Sequence, residues 1–184
     1  MEKQITEDYL LELLKNKMTK KEGVAALIAK HQEQLYWHIR KLVVNHDDSK
    51  DILQEVFLRI WRNIDQFKGN STLYTWIYRI ATNESLRFLE KKNRLLANKM
   101  TMKEMLEQEI ETSPLISGEE IQIALQKAIL GLTDKQRVVF NMHYFDELDY
   151  QDIADILETT ANNVKVLYHY AKTKIEEILK TDRL

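Results

Sequence analysis

The chain has 184 residues, 44% of them hydrophobic, with 27 Lys+Arg against 29 Asp+Glu for a net charge of −2. That length supports one large or two small cores, and the lack of cysteine excludes disulfides, thiol redox sensing and cysteine zinc sites while fitting a reducing, cytoplasmic setting. One proline and four glycines argue against a turn-rich β fold, no run of ~18 apolar residues offers a membrane span, and the start MEKQITEDY is too acidic for a signal peptide, so an all-α protein is expected.

The N-terminal part reads as a helical bundle. A short amphipathic helix is predicted over Thr6 to Lys15. A longer one opens at Thr19, where TKKE has capping-box spacing from Thr19 to Glu22, and Leu27, Ile28, Leu35, Ile39, Leu42 and Val43 form its apolar side. A polar break at Asn45 to Ser49 leads to DILQEVFLRIWRNIDQF, Asp51 to Phe67, in which Ile52, Leu53, Val56, Ile60 and Ile64 make an inward stripe. Asp51, Gln54 and Glu55 stand at i, i+3 and i+4 and present two carboxylates and an amide on one patch; most such patches are solvated helix faces. Trp37 and Trp61 are core candidates, and His46, Asp47 and Asp48 read as a solvated loop rather than a metal site.

Next comes FKGNSTLYTWIYRIATNESLRFLEKKNR, Phe67 to Arg94. Its Lys68 to Thr72 turn is small and polar, with Ser71 as a plausible N-cap. The helix that follows interleaves Tyr74, Trp76, Tyr78 and Phe88 with Arg79, Arg87, Lys91, Lys92 and Arg94. Cations beside aromatic rings suit unpaired nucleotides, whose phosphates are neutralised while exposed bases stack. Trp76 shares a face with Ile80 and belongs to the core.

Charge is unevenly distributed. Residues 68–99 hold 7 Lys+Arg against 2 Asp+Glu, and residues 100–120 hold 1 against 6. Leu95 to Gly118, with the sole proline at Pro114, reads as an acidic, partly helical linker between domains over residues 1–94 and 119–184. The second domain opens near Glu119 and has a further capping box at Thr133 to Gln136.

The stretch DYQDIADILETTANNVKVLYHYAKTKI, Asp149 to Ile175, reads as a helix-turn-helix. Asp149 caps a first helix with Ile153, Ile156 and Leu157 on one face; Thr160 or Asn162 caps a second with Val164, Tyr168, Ala171 and Ile175 inward. Asn162, Asn163, Lys165, Val166, Leu167, His169, Tyr170 and Lys172 are then left outside. Amides pair with adenine edges and ammonium groups neutralise phosphates, as a recognition helix requires. Residues 121–184 nonetheless hold 8 Lys+Arg against 10 Asp+Glu, so this domain alone should bind duplex weakly. Catalysis is disfavoured: the histidines lack HExxH spacing, and there is neither a glycine-rich phosphate loop nor a cysteine nucleophile.

The succession DILQEVFLRIWRN, FKGNSTLYTWIYRIATNE, a polar connector, then LTDKQRVVFNMHYFDELDYQDIADIL and its second helix resembles extracytoplasmic-function sigma factors of the sigma-70 family. The resemblance covers about residues 20–180. It implies two small helical domains, no cofactor and no catalytic or metal site, with core RNA polymerase (β′ clamp and β) and promoter DNA as partners. It implies that Asp51, Gln54 and Glu55 meet core polymerase. Lys68, Asn70 and Ser71 would hold a base flipped from the minus-ten element, with Tyr74, Tyr78, Arg79, Asn83 and Arg87 along the strand. Asn162, Asn163, Lys165, Val166, Leu167, His169 and Lys172 would read the minus-thirty-five element. An anti-sigma factor is an expected regulator, though no residue identifies one.

This chain departs from the family at Leu167 and Tyr170, where basic residues are expected; Val166 and Leu167 are instead suited to thymine methyl groups. Two other classes remain open. A helix-turn-helix regulator would bind a defined duplex without polymerase, and a helical protein-interaction module would bind no DNA.

Overall fold

Helix signals in this sequence are mostly local, and the computed structural model, which describes residues 6–96, 101–112 and 120–181, places helices where those signals fall. Among the described residues there are nine α-helices and no strand. They are α1 (Glu7–Lys15), α2 (Lys20–Val43), α3 (His46–Asn63), α4 (Leu73–Leu96), α5 (Met102–Thr112), α6 (Glu120–Leu130), α7 (Asp134–Tyr144), α8 (Tyr150–Leu157) and α9 (Ala161–Thr181). A single 3-10 turn, Ile64–Gln66, follows α3.

Helices α1 to α4 form the N-terminal bundle. Leu14, Leu27, Leu35, Ile39, Val56, Ile60 and Ile77 are fully buried in it, each worth about 1.5–3 kcal/mol in apolar burial. Gly23 lets α1 and α2 approach closely, since a Cβ there would lie 2.9 Å from the backbone nitrogen of Leu14. That tight turn also defeats the capping box expected at Thr19. Thr19 has helical backbone angles, and its hydroxyl donates to the Leu13 carbonyl at 3.0 Å instead of capping α2.

The polar break before α3 is shorter than its composition suggests. Asn45 accepts from the Asp48 backbone N–H at 3.0 Å and starts α3, so His46 to Asp48 form its first turn rather than a loop. His46 meets the Tyr36 hydroxyl at 2.7 Å, Asp48 pairs with Lys92, and no metal-holding acid or histidine cluster is found among the described residues.

In the C-terminal bundle, Thr133 and Gln136 make the expected capping box. Asp149 caps α8 through the Asp152 N–H at 2.8 Å, and Thr160, not Asn162, caps α9 through the Asn163 N–H at 3.2 Å. The linker is helical over α5. Leu106 and Ile110 pack against Val44 and Leu130, and the Asn45 amide donates to both Glu109 oxygens at 2.9 and 2.8 Å. Pro114 lies outside the described residues.

The two bundles meet along α2 and α4 on one side and α7 and α8 on the other. Their apolar residues join in one cluster that includes Ile77, Tyr78, Val138 and Ile153. At its edge Asp146, just after α7, reaches His38 Nδ1 at 2.8 Å and also Lys41 Nζ. His38 Nε2 meets the Thr82 hydroxyl of α4 at 2.9 Å, and the Asn141 amide donates to the Lys41 carbonyl at 3.2 Å. Burial pushes the Asp146 carboxyl upward, but the hydrogen bonds and charges of His38 and Lys41 outweigh it and hold the group below the ordinary carboxylate range.

Candidate functional site

Three surfaces carry the residues selected from the sequence. The first is the outer face of α3. Asp51 and Gln54 are exposed; Glu55 is half-buried and pairs with Arg59 at 3.3 Å, which also meets Glu84 at 3.0 Å. Leu58, 49% exposed, and Trp61, 41% exposed, extend this face at the spacings 51, 54, 58 and 61. Sequence reasoning selected neither, although the three-four-three spacing carried the signal. Trp61 is therefore not core: its turn of α3 points away from the Ile60 and Ile64 side, and the Lys20 ammonium sits 5.3 Å from its ring centroid. Trp37 is likewise 41% exposed, because Leu35, His38, Ile39 and Leu42 take the inward side of α2.

The second surface is the loop before α4. Lys68, Gly69 and Asn70 are exposed and Ser71 half-buried. Gly69 has φ +76° and open space where a Cβ would stand, so backbone conformation alone favours glycine there. The N-cap is Thr72, one residue after the expected Ser71; its hydroxyl accepts from the Thr75 N–H at 3.1 Å. Glu7 of α1 accepts from the Leu73 N–H at 2.6 Å, placing a negative charge at the start of α4 and fixing the loop to α1.

Along α4, Tyr74 is half-buried, Asn83 and Arg87 are exposed, and Trp76 packs partly buried with its ring 5.5 Å from that of Phe67. Tyr78 is fully buried between the bundles, with its ring 4.7 Å from His38, so it touches no strand in this conformation. Burial, with Asp146 nearby, pushes its phenol far above the ordinary tyrosine range. Arg79 is half-buried: it donates to the carbonyls of Ile156, at 3.1 Å, and Asp155, and pairs with Glu158 at 2.8 Å. These partners are distant in sequence, which is why the periodicity of α4 alone left Tyr78 and Arg79 available.

The third surface is α9. Val164, Ala171 and Ile175 are buried and Tyr168 is half-buried, as the inward stripe requires. Asn162, Asn163, Lys165, Val166, His169, Tyr170 and Lys172 are exposed. Leu167 departs from this pattern. It is half-buried and lines a cleft of about 370 Å³ with Arg79, Asn83 and Leu86 of α4, because the N-terminal bundle lies against that edge of the helix.

A bundle ending in a helix-turn-helix, joined to a second with an acidic, apolar-edged helix face and an exposed loop before a basic helix, is the architecture of a two-domain promoter-directed transcription factor. Residues 27–95 match the family model Sigma-70 region 2 and residues 122–175 match Sigma-70, region 4, in that order. The chain belongs to the sigma-70 family, in its extracytoplasmic-function branch, whose members are transcription initiation factors and not enzymes. It is 27% identical over 168 residues to the ECF RNA polymerase sigma factor SigW of Bacillus subtilis, covering 86% of this chain and 90% of that one. It is 25% identical over 185 residues to the ECF RNA polymerase sigma-E factor of Escherichia coli, covering 96% and 95%. Two solved structures share the fold. One is the sigma factor RpoE in complex with the anti-sigma factor NepR from Bartonella quintana, with TM-score 0.65, 22% identity and coverage of 91% and 99%. The other is CnrH in complex with the cytosolic domain of CnrY, with TM-score 0.69, 16% identity and coverage of 96% and 97%.

Proposed function

We propose that the chain directs core RNA polymerase to promoters through the three surfaces just described. The observation that carries this reading is their coexistence, in family order, on one chain: an exposed α3 face, an exposed loop before α4 and an exposed α9 face. Residues 1–94 form the polymerase and minus-ten domain, residues 95–118 the linker and residues 119–184 the minus-thirty-five domain. The factor works in the cytoplasm; among the described residues no helix is long and apolar enough to cross a membrane.

On α3, Asp51, Gln54 and Glu55 contact core polymerase, with Leu58 and Trp61 supplying the apolar area that an acidic patch alone lacks. At the loop, Lys68, Asn70 and Ser71 receive a base extruded from the non-template strand, and α4 residues hold the flanking strand. Extrusion costs a few kcal/mol of stacking and pairing, which pocket and backbone contacts offset. On α9, Asn162 and Asn163 meet base edges while Lys165 and Lys172 meet phosphates. Each contact is weak alone, and tethering both to one polymerase raises their effective concentration for one another. This explains how a chain of net charge −2 serves a DNA-bound function. An anti-sigma protein fits as a regulator, since RpoE, which shares this fold, is in complex with one.

Transcription of genomic fragments by purified core polymerase, with and without the chain, tests this reading. Discrete start sites should appear only with the chain, sharing two upstream elements. Specific duplex binding by the chain, with no effect on start-site choice by active polymerase, would replace it with the helix-turn-helix regulator.

A further inference from the structure

Trp37, on the outer side of α2, belongs to none of the three surfaces. It stands on one wall of a pocket of about 420 Å³, with Tyr144 and Phe145 at the end of α7 on another and Gln122 and Gln126 of α6 on a third. Small-molecule sites have volumes of about 300–1,000 Å³, aromatic or aliphatic walls and a few convergent polar groups. This pocket has all three.

The rings on its walls are fixed by the protein itself. Trp37 and Tyr144 are 41% and 53% exposed, which leaves apolar ring area for a ligand to cover. Tyr144 stacks on Phe140 at 5.1 Å and meets Phe145 edge-on at 4.9 Å, while Trp37 meets Tyr36 edge-on at 5.3 Å. Val44 closes α2 beneath them at φ +69°, an angle that a β-branched residue rarely adopts, and is seated among Leu106, Ile110 and Leu130. Walls and floor are thus set by packing, which lowers the ordering cost of binding.

The charge of the lining has one sign. Among the described residues that line the pocket, the ionised side chains are Arg40 and Lys41, and there is no carboxylate. Lys41 meets buried Asp146 at 2.5 Å and lies 5.3 Å from the Phe145 ring centroid, so its charge is partly balanced. Arg40, 9% exposed, adds a second positive charge where salt screens it little. The Gln122 and Gln126 amides, one turn apart on α6, offer donors and acceptors at the remaining edge.

We propose that this pocket binds a small, flat aromatic anion, with its ring between Trp37 and the Tyr144 and Phe145 pair, its anionic group toward Arg40 and its edge against the two amides. A cationic ring would be repelled by Arg40 and Lys41, and an aliphatic anion would leave the ring faces unmatched. The site is separate from the polymerase and DNA surfaces and does not rest on the promoter reading.

The test uses the full chain with 5-fluorotryptophan at its three tryptophans, Trp37, Trp61 and Trp76, followed by fluorine NMR, with Trp37→Phe to identify the Trp37 resonance. The probe is naphthalene-2-carboxylate, compared with its neutral amide and with cyclohexanecarboxylate. The aromatic carboxylate should shift the Trp37 resonance saturably with a Kd of about 1 mM or below, leave Trp61 and Trp76 in place, and raise the thermal midpoint. The neutral amide and the aliphatic acid should each bind at least about tenfold more weakly. Arg40→Gln should bring the carboxylate down to the level of the amide. If that variant fails to fold, Tyr144→Ala, at an exposed position, should weaken carboxylate and amide together. No saturable shift of Trp37 by about 10 mM, equal shifts at all three tryptophans, or equal affinity for carboxylate and amide would overturn the proposal. Full affinity for the carboxylate in either variant, once folded, would overturn it too.

Discussion

Helix α4 is richer in positive charge than α9, yet α9 has more of its charge available. Arg79 is bound to α8, Arg87 pairs with Glu84 at 2.9 Å, and Lys92 pairs with Asp48. Lys165 and Lys172 of α9 are exposed, and no ion pair to either is found among the described residues. A count of basic residues therefore misjudges both helices. It overstates what α4 offers a strand in this conformation and understates what α9 offers a duplex.

The largest effect should come from unseating α9 without touching its charge. Ile153, fully buried in α8 beneath the recognition helix, should cost about 2–5 kcal/mol on truncation to alanine in urea denaturation, with duplex binding lost in proportion. Duplex binding that survives such destabilisation would show that α9 reads DNA independently of its mount. Next in size, Asn162→Ala should remove about 1–3 kcal/mol of discrimination at one base pair while leaving stability near wild type, measured by competition between promoter variants.

The third effect addresses charge directly. Lys165→Ala or Lys172→Ala should each lower the salt slope of duplex binding by about 1. Glu84→Gln should strengthen single-strand binding by the full chain, because it releases Arg87 from the Glu84 carboxylate, whereas Arg59 of α3 keeps Glu55. No gain in Glu84→Gln would mean that the paired cations of α4 are structural rather than held in reserve.

The smallest effect is a pH dependence on the α4 side. His31 is buried with its ring 6.1 Å from Tyr74, and burial, then Lys30, lowers its pKa below the ordinary 6.5. The unfolded chain thus takes up this proton first. The contribution to stability is complete above pH 6.5 and declines as pH falls below it toward the folded-state value, so His31→Gln should flatten thermal stability over that window.

Much of the fold was legible in the sequence wherever the signal was local. The helix-turn-helix followed from Asp149, the Ile153, Ile156 and Leu157 face and the Val164 to Ile175 stripe, all set by spacing within one or two turns. The Thr133 cap was legible for the same reason, whereas the identical spacing at Thr19 failed because a neighbouring carbonyl, Leu13, competes for the hydroxyl. Size misled at Trp37 and Trp61, whose positions around their helices, not their areas, decide exposure. Tyr78, Arg79 and Leu167 were illegible because what covers them comes from the other bundle. The candidate residues fall on three surfaces that helical spacing outlines, but which of them are covered depends on how the domains meet.

The central claim is that both DNA-directed surfaces act together on polymerase. Run-off transcription from one mapped promoter, using purified core polymerase and either the wild-type chain or Asn162→Ala/Asn163→Ala, tests it most directly. Promoter-specific transcripts with the wild-type chain, falling at least about tenfold with the double variant and rescued by no other change in the reaction, are the expected result. Equal transcript levels with both proteins, or none with either when the polymerase is active, would contradict it.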